Sequence, residues 1–170
     1  MKLAHIFDNR LDESLDNPYP IHKRSQTTYD IDADGVTIRV FLNGTQIDGI
    51  NCLSIKFVNP TEAATAMDAT NVHGNSALRV FATLLQLVDP IKFNLLICVA
   101  DDTNVEVEQK KSNLYMVIFR KLERMGRIHS ARTINIDGFD KPIIVAERGV
   151  ALDDQRVTEL VTKFAHAHLS

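Results

Sequence analysis

The sequence predicts a single α/β domain: a mixed, mostly antiparallel sheet with a central parallel strand pair and flanking helices. Period-two alternation of apolar and polar residues within 36–42 and 50–58 predicts antiparallel strands. Apolar residues at three- and four-residue steps after Gly74 predict an amphipathic helix. The uninterrupted apolar run at 93–100 predicts a central strand covered on both faces, and the strand-helix-strand crossover that leads to it predicts a parallel neighbour.

The N-terminal region, residues 1–28, is predicted to hold a short strand followed by an extended arm. The arm, from Asp8 to Gln26, is polar and rich in turn-forming residues. It is interpreted either as a surface loop or as an arm that packs against a neighbouring molecule. The first residues lack the apolar core of a signal peptide, and no stretch reaches the roughly 18 apolar residues of a membrane span, so no membrane partner is expected.

Turn-forming dipeptides separate the predicted strands of the first half. Asp-Gly at 34–35 precedes the first alternating segment, and Asn-Gly at 43–44 and Asp-Gly at 48–49 follow it. Because Asn-Gly is a strong hairpin signal, a turn is predicted at 43–44 as well as at 48–49. The first half is therefore expected to be an antiparallel meander.

In the second half, helix-breaking and capping residues mark the ends of the helices. Pro90 is predicted to end the helix that follows Gly74, and Gly126 to end the helix after the buried strand. Ser112 is the predicted cap at the start of that second helix. Two further strands are predicted at 131–136 and 142–146, followed by an additional C-terminal helix within 152–170.

Length, charge and cysteine content limit the classes of function. The 170 residues fit one domain over 1–170, and the formal net charge is −3. Because broad nucleic-acid binding needs a positive field, nucleic acid is not an expected partner. Cys52 and Cys98 lie in predicted strands and are expected to be buried free thiols in a reducing compartment. No His/Cys cluster has the spacing of a metal site, so no metal is expected.

The segment 71–77 carries the candidate ligand chemistry. It lies between a strand and the first turn of a helix, where backbone N–H groups are unpaired and the helix dipole is positive. Gly74 would allow the backbone to approach an anion closely, so the segment is either a phosphate-binding turn or an ordinary turn before a helix. His73, beside it, is a candidate to contact phosphate or to act as a base.

Three pieces of sequence lie around the stretch from Val36 to Gly126. They are the hairpin GVTIRVFLNGTQIDGINCLSIKF, the glycine-led helix HGNSALRVFATLLQLV, and the strand FNLLICVADD with the helix KKSNLYMVIFRKLERMG. Together they resemble the GNAT acetyltransferase superfamily, and in particular the small GNAT-like proteins of bacteriophages. The resemblance implies a GNAT-like fold in which the parallel strand pair splays apart beside the glycine-led helix.

The resemblance also implies acetyl-CoA as the cofactor. Its pyrophosphate would rest on backbone N–H groups at the start of the glycine-led helix, and the main chain of the strand at 53–57 would polarise the thioester carbonyl. The sequence departs from the family's glycine loop at Asn71, where Arg or Gln is usual, and at Ser76, where Gly or Ala is usual. The cofactor-binding residues implied are Leu53, Ile55, Phe57, Asn71, His73, Gly74, Asn75, Ser76 and Ala77.

The catalytic residues implied by the resemblance are an acid and a base for acetyl transfer to an amine. Tyr115 falls where the family often has a tyrosine that protonates the leaving thiolate, and it is equally interpreted as a core aromatic. Glu62 is the candidate base, with Asp68 as the other available carboxylate. The alternative function is a non-catalytic virion or assembly component with the same fold. The expected location is therefore the host cytoplasm or the virion, with a second copy or phage structural proteins as partners.

Overall fold

The computed structural model of this chain describes residues 13–14, 16–58, 74–99, 105–149 and 152–168. Within these ranges it contains seven strands and three long helices, and the fold is α+β. In chain order the elements are β1 (Ile21–Lys23), β2 (Thr28–Ala33), β3 (Val36–Ile47), β4 (Ile50–Val58), α1 (Gly74–Val88), β5 (Leu95–Val99), α2 (Val105–Arg124), β6 (Ser130–Ile134), β7 (Ile143–Glu147) and α3 (Asp154–His168).

All seven strands form one mixed sheet, in the order β1-β2-β3-β4-β5-β7-β6. Every neighbouring pair is antiparallel except β4 and β5, which are parallel and are connected through α1. The prediction of a mixed, mostly antiparallel sheet with a central parallel pair is therefore confirmed. The apolar run predicted as a central strand contains β5 (Leu95–Val99), which lies between β4 and β7.

The pairing between β4 and β5 is short and ends before β4 does. It runs from Cys52 opposite Leu95 to Ile55 opposite Cys98. Strand β4 then continues to Val58 along β3, whereas β5 is described only to Val99. Beyond Ile55, no described residue of β5 pairs with β4. Among the described residues, the two strands therefore stop pairing at their carboxyl ends, and we refer to the end of the sheet beyond Ile55 and Cys98 as the opening.

The two faces of the sheet bury separate apolar layers. Strand β5 contributes to both, because successive side chains along a strand point to opposite faces. Leu96 and Cys98 pack with α1 and α2, while Leu95 and Ile97 pack with α3. This double burial explains why the strand reads as an unbroken apolar run rather than an alternating one.

Two Asp-Gly dipeptides close the hairpins, and the predicted turn at Asn-Gly 43–44 is wrong. Asp48 and Gly49 both have positive φ, 52° and 79°, as a two-residue type I′ turn requires. Strand β3 passes straight through 43–44, with Asn43 opposite Ser54 and Gly44 opposite Leu53. The turn closes later because this register places Leu42 opposite Ile55, so that both side chains reach the same apolar layer.

Two glycine substitutions are expected to have opposite effects. Gly49→Ala should destabilise the protein by about 1–2 kcal/mol, because an L side chain is strained at positive φ. Gly44→Ala should be neutral or stabilising by up to about 1 kcal/mol, because Gly44 lies within a strand and an added Cβ would meet no atom within 4 Å. Urea unfolding followed by far-UV circular dichroism would measure both. A larger loss of stability at Gly44 than at Gly49 would contradict the observed hairpin.

One further prediction about an element end is wrong. Helix α2 begins at Val105, which places Ser112 inside the helix rather than at its start. Within the predicted extended arm, Ile21–Lys23 form the edge strand β1, which pairs with β2. The predicted C-terminal helix is confirmed as α3, and the side chain of Asp153 caps it by accepting a 2.7 Å hydrogen bond from the backbone N–H of Arg156.

Candidate functional site

The candidate site surrounds the opening at the carboxyl ends of β4 and β5. In open α/β sheets, ligands bind outside the carboxyl ends of parallel strands, and the carboxyl ends of a parallel pair meet at one edge. Strand β3 pairs with one edge of β4 as far as Val58, whereas β5 pairs with the other edge only as far as Ile55. Beyond Ile55, that other edge of β4 therefore faces the opening. Within the predicted contact strand, the segment 53–55 is already paired with β5. The segment 56–58 pairs with β3 and has no described strand on its other side.

The predicted cofactor residues of β4 divide between burial and the opening. Leu53 and Ile55 are 3% and 4% exposed and face α1 and α2. The backbone of Phe57 lies in β4 opposite Val40, and its side chain lies outside the described residues. Only Phe57 among the three is therefore beyond the end of the β4–β5 pairing.

The predicted phosphate-binding turn is described in part. Gly74, Asn75, Ser76 and Ala77 form the first turn of α1, as the periodicity predicts. The first N–H groups of any α-helix have no intrahelical partner, so this turn can donate to an anion. Asn71, His73 and the candidate base Glu62 lie outside the described residues.

Tyr115 lies in the apolar layer between the sheet and the helices. It is 3% exposed, and its ring meets the ring of Phe81 edge-on at a centroid distance of 4.7 Å and the ring of Phe119 at 5.8 Å. Burial, and to a smaller extent the charge of a nearby Cys98 thiolate, raises the pKa of Tyr115 well above its ordinary value. The phenol is therefore protonated at neutral pH, the form that a proton donor needs.

The two cysteines are not candidate nucleophiles. Both are free and buried, as the sequence predicts. Burial raises the pKa of Cys52 to about 11 and raises the pKa of Cys98 further above the ordinary value. Because the thiolate is the reactive form, neither side chain is suited to covalent catalysis at neutral pH.

A cleft of about 550 Å³ lies on the α3 side of the same opening, and sequence reasoning missed it. Its lining residues are Asn43, Gly44, Thr45, Ser54, Ile55, Lys56, Ile97, Val99, Phe164 and His168. The sequence analysis placed Asn43 and Gly44 in a turn, so they were not considered as part of a surface of the sheet. The available signal was the strand period, which places 52, 54 and 56 on the face opposite to 53 and 55.

Two buried carboxylates outside this site are paired with arginines. Asp30 accepts from Arg39 Nε at 2.9 Å and from Arg24 Nε at 2.6 Å, and the hydrogen bond from Arg39 is the main cause of its lowered pKa. Glu147 is 1% exposed and accepts from Arg132 at 2.9 Å and from the Ser130 hydroxyl at 3.0 Å. Since their charges are already compensated, we assign both clusters a role in the stability of the fold.

In the described ranges, no group of three or more His, Cys, Asp or Glu side chains is placed so that it could hold a metal ion. No helix in those ranges combines the length and the apolar character needed to cross a membrane.

No family model, no curated protein and no solved structure matches this chain.

Proposed function

We propose that this protein binds acetyl-CoA in a GNAT-like fold and transfers the acetyl group to an amine. One observation carries the proposal: the only parallel strand pair among the described strands stops pairing at Ile55 and Cys98, and the helix that connects the pair begins with Gly74. The pyrophosphate would bind the N–H groups at 74–77, and the thioester would enter the splayed end of β4 and β5.

The proposed reaction is a simple acyl transfer. The neutral amine attacks the thioester carbonyl carbon, the C–N bond forms and the C–S bond breaks. The main chain of β4 beyond Ile55 donates to the carbonyl oxygen as negative charge develops on it. Tyr115 gives its proton to the leaving CoA thiolate, and the proton lost by the amine passes to Glu62 or to water.

Calorimetry with acetyl-CoA tests the proposal. We expect micromolar affinity for the natural chain and a loss of at least about tenfold, or more than 1.4 kcal/mol, in Gly74→Glu. A carboxylate at the start of α1 repels the pyrophosphate, yet it favours the helix through the dipole, so the variant should remain folded.

Gln26→Glu is the matched control for this experiment. It adds the same charge at an exposed position in the loop between β1 and β2, far from α1 along the chain. Its affinity for acetyl-CoA should equal that of the natural chain. Equal weakening in both variants, or no binding of acetyl-CoA by the natural chain at millimolar concentration, would overturn the proposal.

The burial of Tyr115 favours a second candidate, a non-catalytic virion or assembly component with the same fold. A phenol that is 3% exposed and packed between Phe81 and Phe119 contributes to the hydrophobic core whether or not a ligand binds. This candidate predicts that acetyl-CoA does not bind. The same calorimetry therefore separates the two functions.

A further inference from the structure

We propose that the cleft on the α3 side of the sheet is a binding site for a small organic carboxylate with an apolar or aromatic body. The proposed acetyl transfer takes its acid from the opposite side of the sheet, where the side chains of Leu53, Ile55 and Tyr115 pack with α1 and α2. The two sites share only the end of β4 at Ile55 and Lys56. A volume of about 550 Å³ is within the range of pockets that enclose small ligands.

The position of the cleft follows from the strand registers. Asn43, Ser54 and Ile97 form a row across β3, β4 and β5, because Asn43 is opposite Ser54 and Ser54 is opposite Ile97. The next row on this face contains Lys56 and Val99, where β4 and β5 no longer pair. The cleft is thus built where the sheet opens, and α3 forms its wall through Phe164 and His168.

The charge of the lining selects an anion. Lys56 is exposed in the cleft, makes no ion pair with any described residue, and is joined there by His168. Among the lining residues that the structure describes, none is Asp or Glu. Asp48, on the hairpin next to α3, lies outside the lining and already binds Lys163 and Arg156. The end of α3 contributes roughly half a negative charge, which is less than the full positive charge of Lys56.

The remaining lining residues define the rest of the ligand. Ile97 and Phe164 are 1% and 3% exposed and present an apolar floor and wall. The ring of His168 lies 4.8 Å from that of Phe164, so an aromatic ligand would extend an existing ring contact. The side chains of Asn43 and Thr45 offer neutral hydrogen-bond donors elsewhere in the same lining.

The probe for this site is phenylacetate, with the neutral phenylacetamide as its isostere, titrated into the ¹⁵N-labelled full chain. Phenylacetate should shift the amide signals of 43–45, 54–56 and 97–99. The Lys56→Gln variant should bind phenylacetate about tenfold more weakly than the natural chain. Lys92→Gln, which removes an exposed lysine outside the cleft, should leave the affinity unchanged. Gly74→Glu should also bind phenylacetate normally, which separates this site from the acetyl-CoA site.

Three results would each overturn this inference. They are the absence of shifts in the natural chain, equal affinity for phenylacetamide and phenylacetate, and unchanged affinity in Lys56→Gln. Thermal unfolding of each variant verifies that it is folded, and because Lys56 is exposed we expect no change in the midpoint.

Discussion

Replacing Arg132 by Met is expected to destabilise the protein by about 3–5 kcal/mol. The reason is the carboxylate it leaves behind, because Glu147 is 1% exposed and would keep only the Ser130 hydroxyl, at 3.0 Å, as a side-chain partner among the described residues. Arg132 also binds Asp154 at the start of α3, so the substitution loosens this helix as well. Urea unfolding followed by far-UV circular dichroism measures the loss, because the chain has no tryptophan whose fluorescence could report unfolding.

Two further variants make this expectation specific. Arg120→Met removes an arginine whose side chain is 53% exposed and whose partner Glu123 lies one helical turn away, so it should cost at most about 1 kcal/mol. The double variant Arg132→Met with Glu147→Met should regain most of the lost stability, because an apolar pair replaces a buried ion pair without leaving an unpaired charge. Equal losses in Arg132→Met and Arg120→Met would contradict the assigned role of Glu147.

Replacing Tyr115 by Ala is expected to cost about 3–5 kcal/mol, because it removes a buried ring and leaves a cavity beside Phe81 and Phe119. Tyr115→Phe keeps both ring contacts and should cost only about 1 kcal/mol, the usual contribution of one hydroxyl. As a control, Met125→Ala, one residue after the end of α2, should change stability by less than about 0.5 kcal/mol, since Met125 is 44% exposed.

The Tyr115→Phe variant also tests the proposed chemistry. If the phenol protonates the leaving thiolate, acetyl transfer should fall on the order of a hundredfold while acetyl-CoA affinity stays unchanged. An unchanged transfer rate would leave Tyr115 as a core aromatic only. Because Phe preserves the packing, a fall in rate would not be explained by unfolding.

The spacing of apolar residues within one segment of the sequence was enough to predict some elements of the fold. The helix after Gly74 and the doubly buried strand β5 both follow from the spacing or continuity of their apolar residues. The errors lie where a distant partner outweighs a local signal. At Asn43-Gly44, pairing with Ser54 and Leu53 of β4 prevails over a strong turn dipeptide. At Ser112, a helix that begins at Val105 makes a capping residue an interior one.

The candidate site was predictable only in part for the same reason. Gly74 and Tyr115 stand in recognisable local patterns, so both could be singled out from the sequence. The cleft depends on where β5 stops pairing with β4, and no local pattern encodes the register between strands that are about 40 residues apart in the chain. Lys56 and His168 therefore line the same cleft because of the strand topology, and not because of any local pattern.

The double burial of β5 has a practical consequence for dissecting this protein. A fragment that ends before Leu95 would leave the neighbouring strand β4 without one partner and both apolar layers without their shared strand. Removing α3 instead would expose Leu95 and Ile97 to water and favour aggregation. The domain should therefore unfold as one cooperative unit, and point variants of the intact chain will separate its functions better than truncations.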